Sequence, residues 1–286
     1  MSQVAEIPFK IDIPVEADLH CHLLPAWDDG PSTLDKALQL ARKAESVGVR
    51  KILVTPHVGR SFGASMERPS QGIPAAIKNL ESELKDANIN IELICGSEVV
   101  LSVDDLPTRT ADEPWLTVGG QGRYILVESP LDSWPEKASQ ILFDLSLRGI
   151  TAIIAHPERL TDVQADIRVA EALVQRGALL QVTARSLIGP TRKTKECARK
   201  MLEAGLVSFI ASDAHSARHV FPAEVSTTLC DLIGRDMAKR ILIDNAHAVL
   251  SGEAIAPPTS QLQSAANPKR KLLNWLRLDR KNSSNK

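Results

Sequence analysis

The fold is indicated by a pattern that recurs along the chain and is clearest in the stretch Leu147-Arg148-Gly149-Ile150-Thr151-Ala152-Ile153-Ile154-Ala155. It combines the end of a helix, a glycine and a short, almost continuous apolar run. A glycine directly after a helix tolerates the positive φ of a C-terminal cap. Apolar runs of this kind are typical of strands buried on both faces in a parallel sheet covered by helices.

The same junction occurs three more times, at residues 46–54, 175–182 and 203–211. Further strands are predicted at 16–22, 91–95 and 124–127, and helices at 34–47, 75–86, 136–147, 166–176 and 195–204. The first helix follows Ser32-Thr33-Leu34-Asp35, which resembles a reciprocal N-terminal cap. Seven strand–helix units without a GxGxxG loop after the first strand favour an α/β fold of a particular kind, a distorted TIM-like (β/α)7 barrel.

The remaining segments are assigned by composition. We expect a lead-in at 1–15, the barrel at 16–250, a linker at 251–268 and a basic C-terminal tail at 269–286. Two helices, 224–233 and 236–243, are expected to pack outside the barrel. Segments 58–72 and 101–122 are predicted as loops over its mouth, with insertions of no role as the alternative. The leucine-rich basic stretch 269–281 suits peripheral membrane contact or partner docking, with a frayed, solvated tail as the alternative.

Side chains that bind metals follow six of the seven predicted strands. They are His20 and His22, His57, Glu98, Glu128, His156, and Asp213 with His215. Alternation along the first strand is expected to place Asp18, His20 and His22 on one face. Because the strands of a parallel barrel all end on one face, these residues should converge there. The sequence therefore predicts a metal site at the C-terminal ends of the strands.

The chemistry of these side chains indicates the metal and the reaction. Imidazoles and carboxylates without thiolates suit manganese, iron or zinc, and there are too many ligands for one ion. Clustered divalent ions serve hydrolysis well. Arg159 and Arg218 each lie three residues after a strand-end histidine, and guanidinium groups bind phosphate oxygens in bidentate fashion. Unless each arginine instead pairs with a surface carboxylate, the pattern favours phosphate ester hydrolysis.

Composition limits the class of protein and the compartment in which we expect it. The 286 residues are 43% hydrophobic and 24% charged, with a net charge of −1, so the molecule as a whole does not attract nucleic acid. Four scattered cysteines without a CxxC pair indicate a reducing compartment. We see no signal peptide and no apolar run long enough to span a bilayer, so a cytoplasmic protein is expected.

The motifs HxH, DDGP, TPH, GSE, AHPER and SDAH occur in this order and resemble those of the polymerase and histidinol phosphatase (PHP) superfamily. Within it, DLHCHLLPAWDDGPST resembles the start of the CpsB-type tyrosine phosphatases of bacterial capsule biosynthesis, which depend on manganese. The resemblance covers about residues 16–250. It implies a distorted seven-unit barrel that holds three metal ions.

Matching motif to motif, the resemblance implies three ligand sets. They are His20, His22, Glu98 and Asp213; Glu98, Glu128 and His156; and Asp29, His57 and His215. Asp28 stays open as the alternative to Asp29, because spacing alone cannot separate them. Arg159 and Arg218 would hold the phosphate. Asp18 would orient a neighbouring ligand, while His219 and His247 match no family role and are expected to be structural.

The resemblance implies a metal-dependent protein-tyrosine phosphatase. Its expected partner is a phosphotyrosine protein, a membrane-associated bacterial tyrosine kinase that controls capsule or exopolysaccharide synthesis. One alternative is a small-molecule phosphoesterase of the same superfamily, acting on histidinol phosphate or nucleotides. The other is an inactive scaffold module, which the complete ligand set disfavours. The sequence does not determine the oligomeric state.

Overall fold

The structure is a computed structural model that describes residues 13–59, 70–101, 106–130, 132–135, 138–255 and 258. The predicted basic tail and most of the predicted lead-in and linker lie outside these residues. So does most of the segment 58–72 that was predicted as a loop.

Nine strands, all paired in parallel, are present in the described part of the chain. They are β1 (Ala17–Cys21), β2 (Lys51–Val54), β3 (His57–Val58), β4 (Glu92–Cys95), β5 (Glu98–Val100), β6 (Tyr124–Glu128), β7 (Thr151–Ala155), β8 (Leu179–Thr183) and β9 (Phe209–Ala211). One sheet has the order β1-β2-β4, and the other has the order β3-β5-β6-β7-β8-β9. Each of the seven predicted strands has a counterpart.

Two short strands that were not predicted follow predicted strands after a break of two residues, which raises the number from seven to nine. β3 follows β2 after Thr55-Pro56, and β5 follows β4 after Gly96-Ser97. Pro56 has no N–H to donate to a ladder. A Cβ on Gly96 would lie 2.8 Å from Leu53 Cδ1, so the two strands approach too closely there for a larger residue. Because β3 pairs with β5 as β2 pairs with β4, the two sheets continue each other.

The first and last strands meet without a regular ladder. Cys21 and Ala214 form an isolated parallel bridge. The Asp213 amide donates to the His20 carbonyl at 2.8 Å, and the His22 amide donates to the Ala214 carbonyl at 3.0 Å. The predicted α/β fold is confirmed. Its parallel strands form two sheets, and the first and last strands meet at this single bridge and not in a closed ladder.

Ten α-helices accompany the strands among the described residues. They are α1 (Leu34–Ser46), α2 (Ile73–Asp86), α3 (Leu106–Asp112), α4 (Ala138–Leu147), α5 (Thr161–Ala165), α6 (Arg168–Gln175), α7 (Arg192–Glu203), α8 (Glu224–Ile233), α9 (Arg235–Lys239) and α10 (Asn245–Leu250). The four predicted glycine caps all have positive φ: Gly48, Gly149, Gly177 and Gly205. None of the helices in the described residues has the length and apolar content needed to cross a bilayer.

Two sequence predictions about helices need correction, and a third predicted helix has an additional short helix before it. The segment 101–122 is not wholly a loop, since it contains α3; Pro107 lies in the first turn, where a helix does not need the missing N–H. The helix predicted at 166–176 is confirmed as α6, and a short helix that was not predicted, α5, precedes it. The cap of α1 is not reciprocal: Thr33 Oγ1 accepts from the Lys36 amide, but the Lys36 side chain has no acceptor and donates instead to Ser32.

Apolar side chains fill the barrel below the polar strand ends. Leu126 precedes Glu128 by two residues and Leu179 precedes Gln181 by two, so they share the inward face. Val249 and Leu250 of α10 join this interior cluster. The last helix, which was not among the predicted helices, therefore closes the N-terminal ends of the strands. Its small apolar face fits beneath the barrel.

Candidate metal centre

The structure brings all nine predicted metal ligands together at the C-terminal ends of the strands. Six are buried: His20, His22, His57, Glu98, Glu128 and Asp213. His156 and His215 are half-buried, and Asp29 is exposed. Their donor atoms form four overlapping groups in which all ligand atoms lie within 4.8 Å of one another. The groups share His20, His22, His57 and Glu98, so neighbouring cations would share ligands.

A bulge in β1 directs two histidines into the site. The register between β1 and β2 shifts between Asp18 and Cys21. Leu19 belongs to the interior cluster, whereas Cys21 packs in the outer core. Bulges re-aim the side chains beside them, so His20 and His22 both face the interior above Leu19.

Asp18 does not join these histidines, contrary to the simple alternation. Its carboxylate accepts from the Ser212 amide at 3.0 Å, from the Ser212 hydroxyl and from the His20 amide at 3.3 Å. Burial raises the pKa of Asp18 to about 6, although the hydrogen bonds from Ser212 act in the opposite direction. Asp18 thereby fixes the segment that carries Asp213.

The hydrogen bonds of His20 and His22 leave a lone pair on each Nε2 atom. His20 Nδ1 lies 3.0 Å from Gln181 Oε1, and His22 Nδ1 lies 2.9 Å from Asp28 Oδ2. Each Nδ1 must carry the proton that it donates. The two Nε2 atoms are only 3.1 Å apart. Facing lone pairs repel each other, so a metal cation or a shared proton between them stabilises this arrangement.

Glu98 lies at the centre of the cluster. Its Oε2 atom is 3.2 Å from His20 Nε2, 3.3 Å from His22 Nε2 and 3.2 Å from His57 Nδ1, and its Oε1 atom is 2.9 Å from His156 Nε2. The Oε2 atom is buried without a hydrogen bond. A buried carboxylate oxygen surrounded by imidazole nitrogens fits a shared metal ligand, and it is costly without a cation.

Two further carboxylates extend the cluster along the barrel mouth. Glu128 Oε1 lies 2.9 Å from His57 Nδ1. Asp29 Oδ1 lies 3.6 Å from His57 Nε2 and 3.2 Å from His215 Nε2. His57 therefore faces a carboxylate through each ring nitrogen, which places it between two parts of the cluster.

The structure separates the two aspartates of the DDG turn. Asp28 is engaged behind the ligands: its oxygens accept from His22 Nδ1, from the His57 amide at 3.1 Å and from the Gly30 amide at 3.0 Å. Burial would raise the pKa of Asp28, but the hydrogen bond from His22 helps to lower it to about 2. Asp29 is the residue whose carboxylate faces the cluster.

The carboxylates and imidazoles of the cluster shift each other's pKa values. Burial alone would lower the pKa of His20, but the carboxylates of Glu98 and Asp213 raise it to about 9. Burial alone would raise the pKa of Glu98, but His20 and His57 hold it well below its usual range. The carboxylates thus attract positive charge to this point, and the mixed imidazole and carboxylate set suits divalent ions such as manganese, iron or zinc.

Two strand ends adopt left-handed backbone conformations. His156 has φ 35° and Asp213 has φ 53°. Such conformations cost free energy for residues other than glycine, and they cluster at functional sites. At both positions the strand turns sharply, which brings the side chain over the barrel mouth.

A cavity of about 740 Å³ lies above these ligands. Arg159 lines it, and its Nη2 donates to Thr183 Oγ1 at 3.1 Å and to Asp213 Oδ2. The other predicted phosphate ligand, Arg218, is exposed and lines a neighbouring groove on the far side of His215. Of the two predicted arginines, only Arg159 contributes to the wall of the cavity.

Several polar residues in β8 and in later segments contribute to the site, although the sequence did not predict a role for them. Gln181 orients His20, Thr183 supports Arg159, and Arg185 lines the cavity, as does His219, which was expected to be structural. Gln181 is the one polar residue in the apolar run Leu179-Leu180-Gln181-Val182, and this was a usable signal. Arg185 and His219 had none.

Buried Glu158 joins the two segments that carry arginines. It lies between His156 and Arg159, and its Oε1 atom accepts from the Thr183 amide at 3.1 Å and from Ser186 Oγ at 2.6 Å. The loop after β7 and the loop after β8 are therefore held to each other beneath the cavity.

Comparison with known proteins relates these features to a family. The model for capsular polysaccharide synthesis, CpsB/CapC, matches residues 16–251. Tyrosine-protein phosphatase YwqE of Bacillus subtilis is 32% identical over 241 residues, which cover 83% of this chain and 92% of the relative.

Solved structures agree. A crystal structure from a study of YwqE from Bacillus subtilis and CpsB from Streptococcus pneumoniae, described as unique metal-dependent tyrosine phosphatases, matches with a TM-score of 0.78 and 30% identity. The match covers 85% of this chain and 98% of that one. Histidinol phosphate phosphatase from Lactococcus lactis matches with a TM-score of 0.50 and 15% identity over 78% of this chain and 94% of that one, which shows the fold alone. With a family model that spans most of its length and a relative above 30% identity, this chain belongs to the capsular polysaccharide synthesis family CpsB/CapC.

Proposed function

We propose that this protein is a metal-dependent protein-tyrosine phosphatase. The observation that carries the proposal is a cluster of nine metal-binding side chains, seven of which line a cavity whose wall also holds Arg159. The relative YwqE, which shares most of the length of this chain, is named a tyrosine phosphatase.

The proposed metal centre holds three ions. Its ligands are His20, His22, Asp29, His57, Glu98, Glu128, His156, Asp213 and His215. Manganese is the proposed metal, with iron and zinc as the alternatives that the same donors suit. When bound, the ions supply Lewis acidity, which makes a nucleophile available near neutral pH and neutralises charge on phosphoryl oxygens.

Arg159 is the proposed phosphate-binding residue of the cavity wall. Two acceptors, Thr183 Oγ1 and Asp213 Oδ2, hold its guanidinium in place. An arginine fixed in this way is preorganised to donate several parallel hydrogen bonds to phosphate, and little side-chain entropy is lost when it does so. Arg218 was predicted for the same phosphate and remains a proposal for it.

The cysteines argue against a thiol nucleophile. None of the four is followed six positions later by an arginine, as a Cys-x5-Arg phosphatase loop would need. Burial raises the pKa of Cys95 and of Cys197 to about 11, and it raises the pKa of Cys21 well above its ordinary value. Thiols in this state are poor nucleophiles, which supports hydrolysis at the metal centre.

The proposed substrate is a phosphotyrosine protein, namely a membrane-associated bacterial tyrosine kinase that controls capsule or exopolysaccharide synthesis. Four free cysteines are consistent with action in the reducing cytoplasm. Contact of residues 269–281 with the membrane surface would bring the phosphatase to such a kinase. Unchanged membrane fractionation after deletion of residues 257–286 would contradict this last part.

The test is hydrolysis of a phosphotyrosine peptide by the manganese-loaded protein, with histidinol phosphate and a nucleotide measured beside it. We expect turnover of the peptide to exceed that of the small esters. Both His156→Ala and Arg159→Ala should lower it strongly, whereas Arg176→Ala, at an exposed arginine before β8, should not. Preferred turnover of a small ester would favour the phosphoesterase alternative, and no turnover of any ester would favour the scaffold.

A further inference from the structure

The cavity above the metal ligands contains a second arginine that the sequence reasoning did not consider. Arg185 follows β8 by two residues and lines the cavity together with Arg159, His156 and His215. The predicted second phosphate ligand, Arg218, lines the neighbouring groove. Arg185 and Arg218 thus lie on different sides of the segment that begins at His215.

We propose that Arg185 is a second guanidinium in this cavity that binds the substrate phosphate together with Arg159. The inference rests on the proposed function for the identity of the substrate, but not for the binding of phosphate itself. It ranks the contribution of Arg185 above that of Arg218, whose role in binding the same phosphate stays a separate proposal.

The contacts of Arg185 direct it without neutralising it. Its Nη1 donates to the Arg218 carbonyl oxygen at 2.7 Å. That single neutral acceptor orients the guanidinium and leaves its full charge in place. No carboxylate among the described residues forms an ion pair with it, whereas Arg159 is paired with Asp213. An uncompensated guanidinium on the wall of a cavity that also holds metal ligands is suited to an incoming anion.

Arg185 shares the cavity wall with His215 and His219. The ring of His219 lies 6.3 Å from that of the proposed ligand His215. Arg185 therefore belongs to the part of the wall where a phosphate would reach the cluster.

The two cavity arginines are also mechanically linked. Glu158 lies directly before Arg159, and it accepts hydrogen bonds from Thr183 and Ser186, which flank Ala184 and Arg185. The separation of the two loops is thus set by one buried carboxylate. A fixed separation is what a clamp on a tetrahedral anion needs, because preorganised donors lose little entropy on binding.

The test is the binding of inorganic phosphate to the manganese-loaded protein, measured by calorimetry, beside kcat/KM for a phosphotyrosine peptide. Arg185→Ala should weaken phosphate binding and lower kcat/KM, each by about 10- to 100-fold, as expected for the loss of a charge-assisted contact. Arg185→Lys should recover part of the loss. Arg176→Ala is the matched control, since Arg176 is also exposed and also donates its Nη1 to a backbone carbonyl.

Two further measurements separate binding from support. If Arg185 only anchored the segment at Arg218, Arg185→Ala would lower metal content or thermal stability and leave phosphate affinity unchanged, which would overturn the inference. A larger loss of phosphate affinity in Arg218→Ala than in Arg185→Ala would overturn it as well, as would absence of phosphate binding by the native protein. If the native protein binds phosphate but leaves the phosphotyrosine peptide intact, the proposed function fails while phosphate binding still decides the role of Arg185.

Discussion

Replacing Asp28 by asparagine distinguishes the two aspartates of the DDG turn. The Asp28 carboxylate accepts three hydrogen bonds, from His22 Nδ1, the His57 amide and the Gly30 amide. An asparagine has one acceptor oxygen, and its NH2 group must point at one of these three donors. Both histidine contacts go to Oδ2 and the Gly30 contact goes to Oδ1. If the NH2 group turns toward Gly30, the two histidine segments keep an acceptor, but it is neutral and therefore weaker. The change thus weakens the hold on two histidines of the cluster without removing a proposed ligand.

The expected cost follows from these contacts. His22 Nδ1 lies 2.9 Å from Oδ2 of the ionised Asp28 carboxylate. A hydrogen bond to a charged group contributes about 1.5–3 kcal/mol to stability. A loss of that size corresponds to about a 10- to 100-fold weaker affinity for metal, which is also the usual effect of changing a residue that orients a ligand. Asp29→Asn should act differently, because it removes a carboxylate that faces His57 and His215.

Both variants can be compared in one assay, in which the manganese concentration is varied and phosphotyrosine hydrolysis and bound metal are recorded. For Asp28→Asn we expect the half-saturating manganese concentration to rise about 10- to 100-fold, with most of the activity restored at saturation. For Asp29→Asn we expect fewer ions bound per chain and no such recovery. Asp35→Asn, an exposed acidic residue in the first turn of α1, is the control.

The opposite pattern would refute this reasoning. If Asp28→Asn lost a bound ion while Asp29→Asn only needed more manganese, then Asp28 would be the ligand and the hydrogen bonds described above would not reflect the metal-loaded protein. Unchanged metal dependence in both variants would show that the DDG turn does not contribute to the centre.

Three other perturbations give distinct outcomes. In Gly30→Ala, the new Cβ would lie 2.6 Å from the His22 carbonyl oxygen. We therefore expect the free energy of unfolding by urea to fall by about 1–3 kcal/mol. An unchanged midpoint of the urea unfolding curve would contradict this close approach. Glu158→Ala leaves the buried Thr183 amide and the Ser186 hydroxyl without their acceptor, at a cost of about 1–3 kcal/mol, and should lower kcat/KM while metal content stays constant; full activity would show that the link between the loops is dispensable. Removal of metal by a chelator should abolish hydrolysis and lower Tm, both reversed by manganese, because the ions bind the folded site. Hydrolysis that survives chelation would exclude a metal-dependent reaction.

Much of the fold was predictable because the signals were local. Apolar runs preceded by a capping glycine, such as Gly149 before β7 and Gly177 before β8, mark helix–strand junctions through the conformational freedom of glycine and the burial of parallel strands. The interruptions at Thr55-Pro56 and Gly96-Ser97 were not predictable, since they depend on how closely neighbouring strands approach. The position of α10 depends likewise on the space left beneath the barrel.

Some residues of the candidate site were likewise predictable from the sequence, and others were not. Histidines and carboxylates at strand ends are visible in the sequence because few other roles put such residues directly after apolar runs. The choice between Asp28 and Asp29 depends on which carboxylate the backbone amides occupy, and this only three-dimensional contacts reveal. The bulge in β1 likewise separates Asp18 from His20 and His22, although their spacing suggested a common face.

We propose that the strand ends around the barrel mouth hold a cluster of three metal ions. Anomalous diffraction at the manganese absorption edge, from crystals of the manganese-loaded protein, can locate them. We expect three peaks beneath the cavity, with Glu98 shared between ions and Asp29 facing the ion next to His215. A single peak, or peaks away from Glu98 and His57, would contradict it.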